Sequence, residues 1–218
     1  KVEGSPAEIW SDIYQERTRG HSEELSVLFA DLQGFTSYSE RTPEDEIKAM
    51  LDEYWRAAAP VAEAQDGWID KTIGDALMVV FRDKGHALRA ARAGLAFQEE
   101  TGRIAAAHPA WPRFRTGINS GAAIVGLPEA RGARRLTVTG DTVNVAARLE
   151  GHARAGEVVI GETTRAALGS LAQAEDLGEL PIKGKARPVR AFLLRALASE
   201  RDERDQRLED EQSEPEPE

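Results

Sequence analysis

The sequence predicts an α/β (α+β) domain whose core runs β-α-β-β-α-β, the ferredoxin-like order, with additional strands toward the C-terminus and helices on one face of the sheet. Two observations carry that prediction. Apolar runs of strand length, such as Ser26–Ala30 and Leu77–Phe81, alternate with longer segments whose apolar residues recur at helical spacing. Turn and cap signals, Thr42-Pro43 and Ile73-Gly74-Asp75 among them, separate the two kinds of segment.

The elements follow in order. A short helix-like stretch, Ala7 to Arg17, carries Ile9, Trp10, Ile13 and Tyr14. Ser26-Val27-Leu28-Phe29-Ala30 reads as a buried strand. Thr42 is the expected N-cap of the next helix, with Pro43 in its first turn. Its apolar face is Ile47, Met50, Leu51, Tyr54, Ala58 and Val61, and Pro60 is expected to kink or end it. Trp68–Lys71 and Leu77–Phe81 read as strands joined by the Gly74 turn, and a helix follows from about His86 to Ala106. Two strands are expected near Arg115–Asn119 and Ala122–Gly126, then a helix from Asp141, then strands near Glu157–Ile160 and Val189–Leu194. The domains expected are a helical segment or linker over 1–22, the main domain over 23–197, and a solvated acidic tail over 198–218.

Composition excludes several classes of function. The chain carries a net charge of −10, and residues 199–218 hold ten acidic side chains against three arginines, which leaves the body nearly balanced. A near-neutral body is not a nucleic-acid surface. Without cysteine there is no disulfide framework, thiolate metal site or cysteine nucleophile. No apolar run approaches the roughly 20 residues of a membrane span, so no membrane contact by this segment is expected. A reducing, cytoplasmic compartment is the expectation, and Lys1 in place of Met reads as the start of a piece of a longer polypeptide.

The chemistry begins with two aspartates. Asp31 follows the apolar run Val27–Ala30, and Asp75 sits in the turn between two apolar strands. A carboxylate at the end of a buried strand is costly unless a positive charge compensates it. Two of them on neighbouring strands suit Mg²⁺ bridged by phosphates. Gly34, three residues after Asp31, lets the backbone approach a phosphate, with the amides of Phe35 and Thr36 as its cradle. A second group lies on the predicted helix from Asp141, where Asn144 and Arg148 are four residues apart and share a face, and Val143 and Ala147 flank it for packing on the sheet. Arg suits charge on phosphoryl oxygens, and Asn can hold a sugar oxygen.

Four segments occur together in one order: Phe29-Ala30-Asp31-Leu32-Gln33-Gly34-Phe35-Thr36, Lys71-Thr72-Ile73-Gly74-Asp75-Ala76, Asn144-Val145-Ala146-Ala147-Arg148-Leu149-Glu150 and Ile182-Lys183-Gly184-Lys185. In order and spacing they resemble the class III adenylyl cyclases, over about residues 24–195. The resemblance implies a cyclase homology domain that binds two Mg²⁺, with Mn²⁺ as a substitute, through Asp31, Asp75 and the Leu32 carbonyl. It implies that Lys71 recognises adenine, that Asn144 and Arg148 orient ribose and stabilise the transition state, and that Lys183 meets the terminal phosphates. It also implies a homodimer with active sites shared across its interface, a dimerisation arm for which residues 126–135 are the candidate, and regulatory domains in the full-length chain.

One position departs from the membrane-bound members of that family. Seven residues before Asn144 they carry aspartate, and here the residue is Thr137, which resembles the branch containing the bicarbonate-responsive soluble cyclases and many bacterial enzymes. A threonine hydroxyl both accepts and donates. Guanylyl cyclases carry Glu and Cys where this chain has Lys71 and Thr137, and Lys cannot accept from guanine N1–H, so ATP is the expected substrate. The implied reaction is in-line attack of the 3′-hydroxyl of ATP on its own α-phosphorus, giving 3′,5′-cyclic AMP and pyrophosphate without a side-chain nucleophile. A guanylate cyclase, or one making another cyclic nucleotide, is the alternative of the same class. A catalytically silent dimerisation or regulatory module is the other; such modules lose a metal aspartate or the Asn/Arg pair, and this chain keeps all four.

Overall fold

A computed structural model describes residues 20–127, 136–182, 185 and 187–198. The expected helix over Ala7–Arg17, the acidic tail, nearly all of the 126–135 segment, and Lys183 lie outside the described residues. The elements are β1 (His21–Leu32), α1 (Phe35–Ser39), α2 (Glu44–Glu63), β2 (Trp68–Ile73), β3 (Ala76–Phe81), α3 (His86–Ala107), β4 (Phe114–Gly126), β5 (Thr137–Thr139), α4 (Asp141–His152), β6 (Val158–Gly161), α5 (Glu162–Leu168), β7 (Ala172–Leu180) and β8 (Val189–Leu197). They form one sheet in the order β2-β3-β1-β4-β6-β8-β7, with β5 paired to β4. The first four positions, β2-β3-β1-β4, are the ferredoxin-like arrangement, with β1 antiparallel to both neighbours. β4 and β6 are the parallel pair among otherwise antiparallel partners.

Strand alternation sorts the core onto two faces. Leu28, Ala30 and Leu32 of β1 join Leu77, Val79 and Phe81 of β3 beneath α2 and α3. Those helices bring Met50, Tyr54, Ala58, Ala62 and Phe97, and Phe114 meets the rings of Tyr54 and Phe97 at 5.0 Å in edge contacts. The opposite face, with Leu25, Val27, Met78, Val80, Ala123 and Val125, packs against Ala146 of α4 and Val138 of β5. Helices therefore cover both faces, not one. Gly117 of β4 is what lets α4 lie so close: a Cβ there would stand 2.5 Å from the Ala146 carbonyl oxygen and 2.6 Å from Glu150 Cα.

Several local expectations are corrected. The two strands expected around Gly121 are a single strand, β4, paired with β1 without a break from Val125 back to Phe114. Gly121 has φ 151°, a conformation that glycine supplies without strain, so the chain need not turn there. Thr42 does not cap α2, whose N-cap is Pro43; its hydroxyl donates to the Tyr38 carbonyl at the end of α1 instead. Pro60 stands inside α2, which runs on to Glu63. On α4 the buried residues are Thr142, Val145, Ala146 and Leu149, and Val143 packs half-buried beside them against the sheet, so the packing face is centred one position from the Val143/Ala147 pair and includes Val143. β7 was not anticipated because its residues, Ala172 to Leu180, mix small, charged and apolar side chains and are mostly exposed, as an edge strand allows.

No helix among the described residues is long and apolar enough to cross a membrane.

Candidate active site

The four-strand core brings Asp31 and Asp75 together. Ala30 pairs with Leu77, so continuing that register sets Leu32 across from Asp75. The Asp75 carboxyl lies beside the Asp31 carboxyl and the Leu32 amide. Burial and the adjacent Asp31 carboxylate push Asp75 up to about 6. Two carboxylates this close cannot both ionise cheaply without a cation. That is the chemistry of a divalent-metal site, and the hard oxygen donors suit Mg²⁺ or Mn²⁺.

Two further residues, not singled out in the sequence, complete this end. Arg115 pairs directly across from Asp31 in the β1–β4 register, and its Nη2 donates to Asp31 Oδ2 at 3.1 Å. Its Nε stands 2.6 Å from Glu150 Oε1 of α4, although neither atom has the alignment of a hydrogen bond. Burial first, then the charges of Asp31 and Asp75, push Glu150 up to about 7 against the opposing pull of Arg115. Asp31 and Glu150 thus share one guanidinium, with Asp75 beside Asp31. A lone charged residue near the start of a strand, Phe114-Arg115-Thr116-Gly117-Ile118, was the available signal for Arg115. Gly34, at φ 82°, starts α1, so the amides of Phe35 and Thr36 stand at a helix start without intrahelical acceptors.

A second cluster lies on the face that α4 covers. β5 is hydrogen-bonded to β4, yet it delivers Thr137 to β2, where Lys71 Nζ donates to Thr137 Oγ1 at 3.0 Å. Thr137 Oγ1 in turn donates to Asp70 Oδ2 at 3.0 Å, and Lys71 Nζ lies 3.0 Å from the same oxygen. Neighbours in a regular strand point to opposite faces. Here a register shift between Ile69 and Lys71 inserts Asp70 as the extra residue of a β-bulge, which turns both side chains toward Thr137.

Asn144 and Arg148 stand exposed on α4, and their side chains make no hydrogen bond or ion pair with another described residue. The chain therefore gathers Asp31 with Asp75, and Lys71 with Thr137, while the Asn/Arg pair joins neither group.

Comparison with known proteins was consistent across sequence and structure. The family model for the adenylate and guanylate cyclase catalytic domain matches residues 18–196. Adenylate cyclase 1 of Rhizobium meliloti (strain 1021) is 39% identical over 137 residues, 59% of this chain and 21% of that protein. Atrial natriuretic peptide receptor 2 of Rattus norvegicus is 30% identical over 182 residues, 78% of this chain and 17% of that protein. This chain thus spans about a fifth of the length of these relatives. The crystal structure of the adenylyl cyclase CyaB from P. aeruginosa superposes with a TM-score of 0.77 at 30% identity, covering 84% of this chain and 98% of that one. The guanylyl cyclase Cya2 superposes with a TM-score of 0.75 at 27% identity, covering 83% and 96%. The chain belongs to the family of adenylate and guanylate cyclase catalytic domains, and it is a nucleotide cyclase catalytic domain.

Proposed function

We propose that this domain is an adenylate cyclase, converting ATP to 3′,5′-cyclic AMP and pyrophosphate as a homodimer with active sites shared across the interface. The observation that carries the choice of ATP is the Lys71–Thr137 pair, joined at 3.0 Å on one face of the sheet. Lys71 presents only donors, which match adenine N1 and oppose guanine N1–H. The adenylate cyclases of Rhizobium meliloti and Anabaena cylindrica among the relatives favour the same reading.

The roles follow from placement and from the family. Asp31 and Asp75, with the Leu32 carbonyl, would hold two divalent cations, which when bound supply Lewis acidity at the α-phosphate and 3′-hydroxyl. The amides of Phe35 and Thr36 would face the phosphates. Arg115, now on Asp31, would be a cation available to the same phosphates once Asp31 is neutralised otherwise. Asn144 and Arg148 of a second copy would orient the ribose and meet charge developing on the α-phosphoryl oxygens. Their exposed, unengaged position on α4 suits that role. Lys183, outside the described residues, is assigned to the terminal phosphates by its motif. The test is direct: cyclic nucleotide formed from ATP and from GTP with Mg²⁺ or Mn²⁺. Cyclic AMP as the dominant product supports the proposal; cyclic GMP as the dominant product, or none of either, overturns it.

A further inference from the structure

The base-facing pair is held by a third residue, one that the motifs do not include. Asp70 is 5% exposed, its side chain only 1%, and its Oδ2 receives both Thr137 Oγ1 and Lys71 Nζ at 3.0 Å. Its Oδ1 is buried without a hydrogen-bond partner among the described residues. A buried carboxylate with one orphaned oxygen is a poor choice for stability alone, since an apolar β-branched residue would fill the same strand position without that penalty.

The directions of these hydrogen bonds follow from chemistry. An ammonium can only donate, a carboxylate can only accept, and a hydroxyl has one proton. The proton of Thr137 is therefore committed to Asp70, one of its lone pairs takes the Lys71 N–H, and one lone pair remains. Toward a nucleobase, Thr137 is left as an acceptor only. The 6-amino group of adenine is a donor and satisfies it. The 6-oxo group of guanine or hypoxanthine is an acceptor and opposes it. The ambiguity of a free threonine hydroxyl is removed by a residue that need not touch the base.

We infer that Asp70 is a positioning residue that sets purine specificity, by locking the Thr137 hydroxyl into the acceptor role. This rests on the reading of Lys71 and Thr137 as the base-contacting pair.

The experiment compares kcat/KM for ATP and GTP in the wild type and five variants. Asp70→Val removes the acceptor and frees the Thr137 proton, so the ATP:GTP ratio should fall about tenfold, the worth of one hydrogen bond reversed. Asp70→Asn keeps a carbonyl oxygen facing the two donors, and should hold the ratio within about twofold. Asp70→Ala stands in for valine if that variant does not fold. A purely structural Asp70 would lower turnover of both nucleotides together and leave the ratio in place, which overturns the inference. Thr137→Val separates this failure from failure of the underlying reading. If Thr137→Val leaves the ratio untouched, the pair does not read the base and both assignments fall. If Thr137→Val shifts the ratio and Asp70→Val or Asp70→Ala does not, the reading stands and the role of Asp70 is refuted. In the double variant Asp70→Val/Thr137→Val the ratio should match that of Thr137→Val alone; a further shift means that Asp70 acts by another route and also refutes the inference.

Discussion

The two ends of the site are built on opposite electrostatic plans. At the end proposed to read the base, the Asp70 carboxylate answers the Lys71 ammonium, and the Thr137 hydroxyl bonds to both. At the end proposed for the phosphates, Asp31 and Glu150 flank Arg115 with Asp75 beside Asp31, and two of the three carboxyls are pushed well above their ordinary range. At one end the opposite charges are paired within the chain. The other lacks positive charge. The contrast fits the proposed roles: a pre-set pattern of donors and acceptors suits recognition of a neutral base, whereas an excess of carboxylate suits cations and the phosphates they carry.

The largest expected effect comes from weakening the charge-deficient end. Asp31→Asn or Asp75→Asn removes a charge that bound cations require, and turnover should fall on the order of 10³-fold or more while the melting curve stays cooperative. A folded Asp31→Asn protein with near-normal turnover would show that the crowding at this end has nothing to do with metal.

Next in size is complementation between copies. Asp31→Ala and Arg148→Ala should each be nearly inactive alone. If each site draws its aspartates from one chain and its arginine from the other, a mixed dimer holds one site with both lesions and one intact site. Equal mixing with free exchange should restore roughly a quarter of wild-type activity by that symmetry count. Activity that stays at the level of the separate variants, with exchange demonstrated by a tagged subunit, would place the whole site within one chain.

A smaller effect is expected at the base-reading end, where selectivity rather than turnover should move. Lys71→Glu with Thr137→Cys gives guanine an acceptor for its N1–H, so the ATP:GTP ratio of kcat/KM should shift toward GTP, with some loss of total activity. An active double variant with an unchanged ratio counts against both residues.

The smallest effect is a pH signature confined to the phosphate end. Glu150 keeps its proton up to about 7 in the folded chain, against an ordinary value of 4.5. Between those values the folded state binds more protons than the unfolded one, so stability falls as pH rises through the window. Without divalent ions, melting temperature should therefore drop between about pH 4.5 and pH 7. Glu150→Gln should make that drop shallower, and thermal melts across the range measure it. A variant with the same pH slope as wild type would mean that Glu150 is ionised throughout.

Much of the fold could be read in advance, because the core strands and helices carry their periods openly. Val27–Ala30 and Leu77–Phe81 are apolar runs, and α2 repeats its apolar residues at helical spacing. Asp31 and Asp75 stood out because each borders such a run. β7 hid because an exposed edge strand has no apolar pattern, and β4 looked like two strands because Gly121 reads as a turn signal. Asp70 was overlooked for a sharper reason. Alternation sets it and Lys71 on opposite faces, and only the bulge puts them together.

The sequence by itself determined the family, the order of the core elements, and the identity of the motif residues, since these rest on local pattern and on spacing along the chain. Tertiary structure decided what those residues face. Arg115 meets Asp31 only through the β1–β4 register, and Glu150 joins them because Gly117 lets α4 lie close on the sheet. Thr137 reaches Asp70 and Lys71 through a bulge and a strand hydrogen-bonded elsewhere. Those contacts join residues between 35 and 84 positions apart, and such pairs are set by sheet pairing and helix packing, which no local window of the sequence encodes.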